Sequence, residues 1–265
     1  MNYGYCTGFA TIPLWEINKS LIKKIAKAGY DFIEFPLMSL VELSNEDFNE
    51  ILDLVKSLNL KCNSTCNFFP ESIKLQNPEF DKEKFTSYLD RAFEIASAIG
   101  AEKIIFGSAA ARKRDEETTS KDAAKHQIIT LLQDFIGPKA AQNDIKILIE
   151  PMSYSAGNVI NTILEADEIV KQTNHPNVEL MIDLLHMQNN NEPVETILEV
   201  LKDVEHIHIS DLERGLPSEK MNPFLLKAFK LLRKNGYSNT ISFETVSGSL
   251  DEMTKALNLL KTLVF

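Results

Sequence analysis

The chain has 265 residues, 44% of them hydrophobic, with 28 basic and 38 acidic side chains for a formal net charge of −10. That length suits a single α/β domain covering residues 1–265, and the acidic balance argues against nucleic acid as the main ligand, because phosphate backbones attract clustered cations. Three cysteines, an odd number, and a start without a basic stretch followed by a long apolar one lead us to expect a cytoplasmic protein with no membrane partner.

Strand-like and helix-like segments alternate throughout. Residues Tyr3 to Phe9 read as the first strand and Asn18 to Ala28 as the first helix, closed by Gly29 in the left-handed position that follows many helices. Asp31 to Phe35 is a second strand. A helix from Ser44 to Leu58 follows, then a third strand from Leu60 to Cys66. Asp81 to Ile99 has helical spacing, with Phe85, Leu89, Ala92, Phe93 and Ala96 on one face. Gly100 closes it ahead of the fourth strand, Lys103 to Phe106.

The second half keeps this rhythm. A helix is expected over Thr118 to Ala141, interrupted at Gly137-Pro138. Further helices are expected over Val159 to Gln172, Pro193 to Leu201, Pro223 to Lys234 and Leu250 to Leu263. Between them lie Ile147 to Glu150, Leu180 to Asp183, His206 to His208 and Ile241 to Glu244 as strands. Eight β–α units with no linker imply a parallel sheet covered by helices and closed as a (β/α)₈ TIM barrel. An open doubly wound sheet would carry a Gly-rich loop early, and the first turn, Gly8-Phe9-Ala10-Thr11, has none.

The last four strands each end in a metal-binding residue: Glu150, Asp183, His208 and Glu244, spaced 33, 25 and 36 residues apart. Strand ends converge at the catalytic face of such barrels. Three carboxylates and an imidazole make an oxygen-rich site for one divalent ion, Mn²⁺ foremost, with Mg²⁺, Co²⁺ or Zn²⁺ as alternatives. Each residue also has a plainer use. A strand-end acid caps the next helix, and His206, on the same strand face as His208, suits a packed histidine. His186 stands just past Asp183, and Arg214 six residues past His208. Cys62 and Cys66, four apart, should share a face as ordinary buried thiols. Arg112-Lys113-Arg114 beside Asp115-Glu116-Glu117 reads as a solvated mixed-charge loop. Phe9, Trp15 and Phe68-Phe69 are candidates for an aromatic pocket wall.

The runs Ile149-Glu150-Pro151-Met152, Asn158 to Thr162, His175-Pro176-Asn177-Val178, Asp183 to Met187, His206 to Asp211 with Arg214, and Ser242-Phe243-Glu244 carry a resemblance. With Gly29 to Pro36 and Ile104 to Ser108, they are similar to the sugar phosphate isomerase/epimerase family, the xylose isomerase-like barrels that include ketose 3-epimerases. The resemblance implies that Glu150, Asp183, His208 and Glu244 hold one divalent ion. It also implies that Glu150 and Glu244 are the acid/base pair and that His186 and Arg214 contact substrate. Ketose 3-epimerases usually carry a further glutamate six residues after the first ligand, and here that position is Ala156.

The expected activity is therefore a metal-dependent sugar or sugar phosphate isomerase or epimerase working by proton transfer through an enediolate. The expected partner is a small sugar or polyol, and a homo-oligomer is compatible although no stretch identifies an interface. The rival readings are an inosose or polyol dehydratase or isomerase on the same residues and a non-catalytic sugar-binding barrel. An abasic-site endonuclease needs more histidines than strands two to four supply, since their ends offer Glu34, Cys66 and Gly107-Ser108.

Overall fold

The computed structural model describes residues 1–8, 14–246 and 248–262, the side chains of 14–18 excepted. Phe9 and the Trp15 side chain, expected near the pocket, lie outside the described residues. The strands are β1 (Asn2–Cys6), β2 (Phe32–Pro36), β3 (Lys61–Cys66), β4 (Lys103–Phe106), β5 (Lys146–Ile149), β6 (Val178–Asp183), β7 (Val204–Ile209) and β8 (Thr240–Phe243). Each pairs in parallel with the next, and β8 pairs with β1 through Asn2–Thr240 and Tyr5–Phe243, which closes the barrel.

Alternation along the strands sorts side chains between two environments. Ile33, Phe35, Ile104, Phe106, Ile147, Ile149, Ile207 and Phe243 join the core shared with the surrounding helices. A small apolar cluster of Cys6, Cys66, Ile105, Leu148 and Met181 lies apart from that core. Lower in the barrel, Lys146 pairs with Glu179 at 2.8 Å and Glu205 at 3.2 Å.

Two irregularities break the parity on which strand reading depends. Between Phe32–Lys61 and Glu34–Ser64, β3 advances three residues while β2 advances two. The extra residue turns Cys62 into the helix-side core while Cys66 joins the other cluster. The two thiols do not share a face as expected. Cys66 instead meets Cys6, with the sulfurs 3.4 Å apart. A similar shift in β7 lies between the Leu180–Val204 and Met181–His206 pairs.

Most helices hold to their patterns, although the first starts earlier, at Leu14, and short helices not expected from sequence follow β2 and β6 over Leu37–Glu42 and Leu184–Asn189. The expected break at Gly137-Pro138 is a π-helical turn over Leu132–Ile136, inside a helix running from Lys121 to Gln142. The Gly137 N–H bonds the Leu132 carbonyl five residues back, so the helix widens by one residue just before the proline rather than ending. The helix expected from Val159 starts at Ile163. Thr162 caps it by accepting from Glu165 N while Glu165 reaches back to the Thr162 N–H. The segment after Pro193 is short 3₁₀ and α turns. Gly29, Gly100 and Gly236 take the left-handed conformation expected at helix ends, with φ of 88°, 84° and 73°.

The closing seam is packed by aromatic rings. Tyr30 stacks edge-on against Tyr5 at 5.3 Å and Phe243 at 5.2 Å between centroids. Replacing Phe243 by Ala should lower the unfolding free energy by about 3–5 kcal/mol, read by urea denaturation. A loss below about 1 kcal/mol would mean that the seam does not depend on this ring.

Candidate active site

Glu150 and Glu244 stand one residue past β5 and β8, still tied to the ladder through Glu150 N to Phe106 O and Glu244 N to Ile209 O. Asp183 ends β6, and His208 lies within β7. All four side chains are buried, and one ligand atom from each lies within 4.8 Å of the others. The loops do not carry these groups; the strand ends do, which limits their freedom to separate.

Asp183 serves two purposes. Its Oδ1 accepts from Leu185 N and His186 N, capping the short helix Leu184–Asn189. Its Oδ2 accepts from Arg214 Nη1 at 3.0 Å. The plain helix-capping use of a strand-end acid thus occupies one oxygen and leaves the other for the site. Burial alone would raise the Asp183 pKa, but His186, Arg214 and His208 hold it well below the carboxylate range. Glu244 is pushed up by burial, against the opposing charges of His208 and Arg214.

His208 is wholly buried. Its Nε2 lies 2.7 Å from Glu34 Oε1. Its Nδ1 lies 3.4 Å from Glu244 and 3.7 Å from Glu150, with no hydrogen-bond partner among the described residues. Burial opposes charge on this ring, yet Glu34 and Glu244 push its pKa well above the usual histidine range. His206 has the packed role: it lies beside Phe32 and bonds Thr240 Oγ1 through Nδ1 at 2.7 Å.

Arg214 turns inward. Its Nη1 also donates to Glu244, and its Nη2 lies 3.4 Å from His186 Nε2. The turn that carries it holds two successive left-handed residues, Glu213 at φ 56° and Arg214 at φ 59°. Such conformations are uncommon for residues with a side chain. They are held by Asp211 N to Gly215 O, Gly215 N to Leu212 O, and Val246 N to Arg214 O. His186 is buried, and its Nδ1 has no hydrogen-bond partner among the described residues. Ala156 is exposed in a turn closed by Ser153.

Two buried residues beneath the site went unassigned at the level of sequence. Glu34 is fully buried, and the available signal was an acid inside the apolar run Phe32 to Phe35. Arg112 is the second, and it departs from the reading of its segment as a solvated loop, although Lys113 and Asp115-Glu116-Glu117 are exposed as that reading expects. It is 2% exposed and donates to the carbonyls of Phe106 and Glu150, beside the Phe106 ring. Arg114 likewise bonds Asn158 O and Thr119 O. The two arginines join the loops after β4 and β5. Burial draws the Arg112 pKa down to about 10, with Glu150 opposing, so it stays charged at neutral pH. Phe68 and Phe69 pack against each other and Phe106 in the core.

The donor set fits a divalent cation. Two ionised carboxylate oxygens within 4.8 Å of each other repel by at least roughly 3 kcal/mol at an effective dielectric near 20. Three converging carboxylates and an unpartnered imidazole nitrogen therefore form a site whose charge and lone pairs a cation would satisfy.

The comparisons agree with this architecture. The chain is 24% identical over 239 residues to a ketose 3-epimerase of Arthrobacter globiformis, covering 86% of this chain and 78% of that protein. In fold it is similar to a D-allulose 3-epimerase from Methylomonas sp. solved in complex with D-allulose. That match has a TM-score of 0.83 and 21% identity, and covers 100% of this chain and 97% of the other. It is also similar to a 3-keto-D-glucoside 4-epimerase from E. coli, with a TM-score of 0.78 and 19% identity over 99% of both chains. The family model of the xylose isomerase-like TIM barrel matches residues 22–263. With its eight parallel strands closed in sequence order, the chain belongs to the xylose isomerase-like TIM barrel family.

Proposed function

We propose that this protein is a divalent-metal-dependent epimerase or isomerase of a small sugar or sugar phosphate, with a ketose as the substrate class. The observation that carries the reading is the convergence of Glu150, Asp183, His208 and Glu244, with His208 Nδ1 set among the carboxylates. The relatives named as ketose and D-allulose 3-epimerases support the substrate class. These four residues would hold one ion, Mn²⁺ foremost, which when bound supplies Lewis-acid polarisation of sugar oxygens and stabilises developing negative charge.

The chain's own groups do the rest. Glu150 and Glu244 reach the site from different strands. One takes the proton from the carbon beside the carbonyl, giving an enediolate, and the other returns a proton to the opposite face, which inverts that carbon. Arg214 supplies a fixed cation beside Asp183 and Glu244 and steadies charge on substrate oxygen. His186, whose Nε2 lies 3.4 Å from Arg214 Nη2 and 3.7 Å from Asp183 Oδ2, offers its ring to a hydroxyl. No side chain at Ala156 reaches for the substrate as the usual glutamate would, so Arg214 and His186 carry more of the orientation.

The experiment is a screen of ketoses, aldoses, their phosphates and inosose-type polyols with Mn²⁺, scored by deuterium uptake from D₂O next to the carbonyl. Exchange that stops with chelator and returns with Mn²⁺ is expected. Tight sugar binding without exchange would instead make the barrel a sensor. Glu150→Gln and Glu244→Gln should each lower kcat by roughly 10²–10⁴-fold, and near-normal turnover by either variant removes that residue from proton transfer.

A subtler variant tests the placement of Glu150. A Cβ added at Gly107 would come within 2.0 Å of Glu150 Oε2. Gly107→Ala should therefore displace the carboxylate and cut kcat/KM by about 10²-fold, with an unchanged circular dichroism spectrum. Full activity in this variant would show that Glu150 does not need its observed position.

A further inference from the structure

Glu34 makes more polar contacts than a core residue of β2 requires. Its Oε1 lies 2.7 Å from His208 Nε2. Its Oε2 accepts from Ser64 Oγ at 2.5 Å and Ser242 Oγ at 3.2 Å, and lies 3.2 Å from His206 Nε2. The chain of contacts continues downward. His206 Nδ1 bonds Thr240 Oγ1 at 2.7 Å, which accepts from Lys103 Nζ at 3.1 Å. One carboxylate thus ties β2, β3, β7 and β8 together inside the barrel, directly behind the candidate metal ligands.

A histidine that ligates a cation through one nitrogen carries its proton on the other. A carboxylate hydrogen-bonded to that second nitrogen fixes the tautomer and the ring plane and raises the basicity of the ligating atom. An ionised carboxylate only accepts, so the 2.7 Å contact from Glu34 assigns the proton to Nε2. Nδ1, which faces Glu150 and Glu244, is then the nitrogen left for a cation to take. We propose that Glu34 is the positioning residue for cation capture, holding His208 so that Nδ1, rather than Nε2, completes the site. The inference rests on the metal reading above and adds a residue to it.

The rival arrangement is visible in the same place. Cys6, Glu34 and His208 also gather ligand atoms within 4.8 Å, and Cys66 lies beside Cys6. A soft ion seated on those groups would draw on Nε2 of the same ring. The hydrogen-bond length to Glu34 and the two serine hydroxyls on its other oxygen favour a carboxylate already fully engaged within the protein.

Two measurements on the full chain test the proposal. In the Zn²⁺-loaded wild type, long-range ¹H–¹⁵N spectra should place the metal on His208 Nδ1 and the proton on Nε2. Metal on Nε2 overturns the proposal without any variant. By titration calorimetry, Mn²⁺ should bind once per chain, and Glu34→Gln should weaken it by about 10–100-fold while the metal-free melting temperature stays within a few degrees. Unchanged affinity in a folded Glu34→Gln protein, or a second ion held through Cys6, defeats the positioning role and leaves the metal reading standing. Absence of any Mn²⁺ or Zn²⁺ binding by the wild type defeats the metal reading itself, and this inference with it.

Discussion

Four carboxylates, those of Glu34, Glu150, Asp183 and Glu244, are buried around the His208 imidazole. Removing that much negative charge from water costs several kcal/mol per ion unless each group finds a partner. The surrounding structure answers that demand piece by piece. Asp183 spends one oxygen on helix amides and the other on Arg214. Glu34 is enclosed by hydroxyls and histidines. Arg112, buried under β4 and β5, adds a positive charge near Glu150 through a network of carbonyls. The left-handed turn at Glu213 and Arg214 is accepted because it delivers a guanidinium to the point where two acids meet.

The partition between scaffold and site follows from strand parity. Outward residues make a continuous aliphatic and aromatic layer with the helices. The remaining strand positions divide into an apolar cluster around Ile105, Leu148 and Met181 and a polar side around His206, His208 and Ser242. The polar side draws on β2, β3, β7 and β8, so the support shares β7 and β8 with the candidate site, while Glu150 and Asp183 rise from strands that carry the apolar cluster. The Lys146, Glu179 and Glu205 pairing at the other end leaves the chemistry to the C-terminal rim.

Much of this was legible in the residue order. Short apolar runs marked most of the strands, because a strand buried on both faces needs them, while β3, Lys61–Cys66, is largely polar. Ser44, Asp81, Gly29, Gly100 and Gly236 marked helix boundaries through local chemistry. The convergence of Glu150, Asp183, His208 and Glu244 was readable because barrel closure brings strand ends together wherever they fall in the chain. The parts that were missed depend on tertiary context. The extra residue in β3 shows only in pairing with β2, so the facing of Cys62 was misjudged. The π-helical turn before Pro138 keeps a helix running where propensity predicts a break. Arg112 looks like a surface charge until the loops after β4 and β5 fold over it. Glu34 sits in an ordinary strand, and its partners come from positions up to 208 residues away.

Ala156 sits at the tip of a turn whose amides already bond the Ser153 carbonyl. Its methyl group is exposed and takes no part in the core. Side chains of many sizes can be installed there without a folding penalty. On the epimerase reading proposed above, that makes this one position a natural handle for laboratory evolution of substrate preference, because selection can act on it independently of the buried carboxylates and His208.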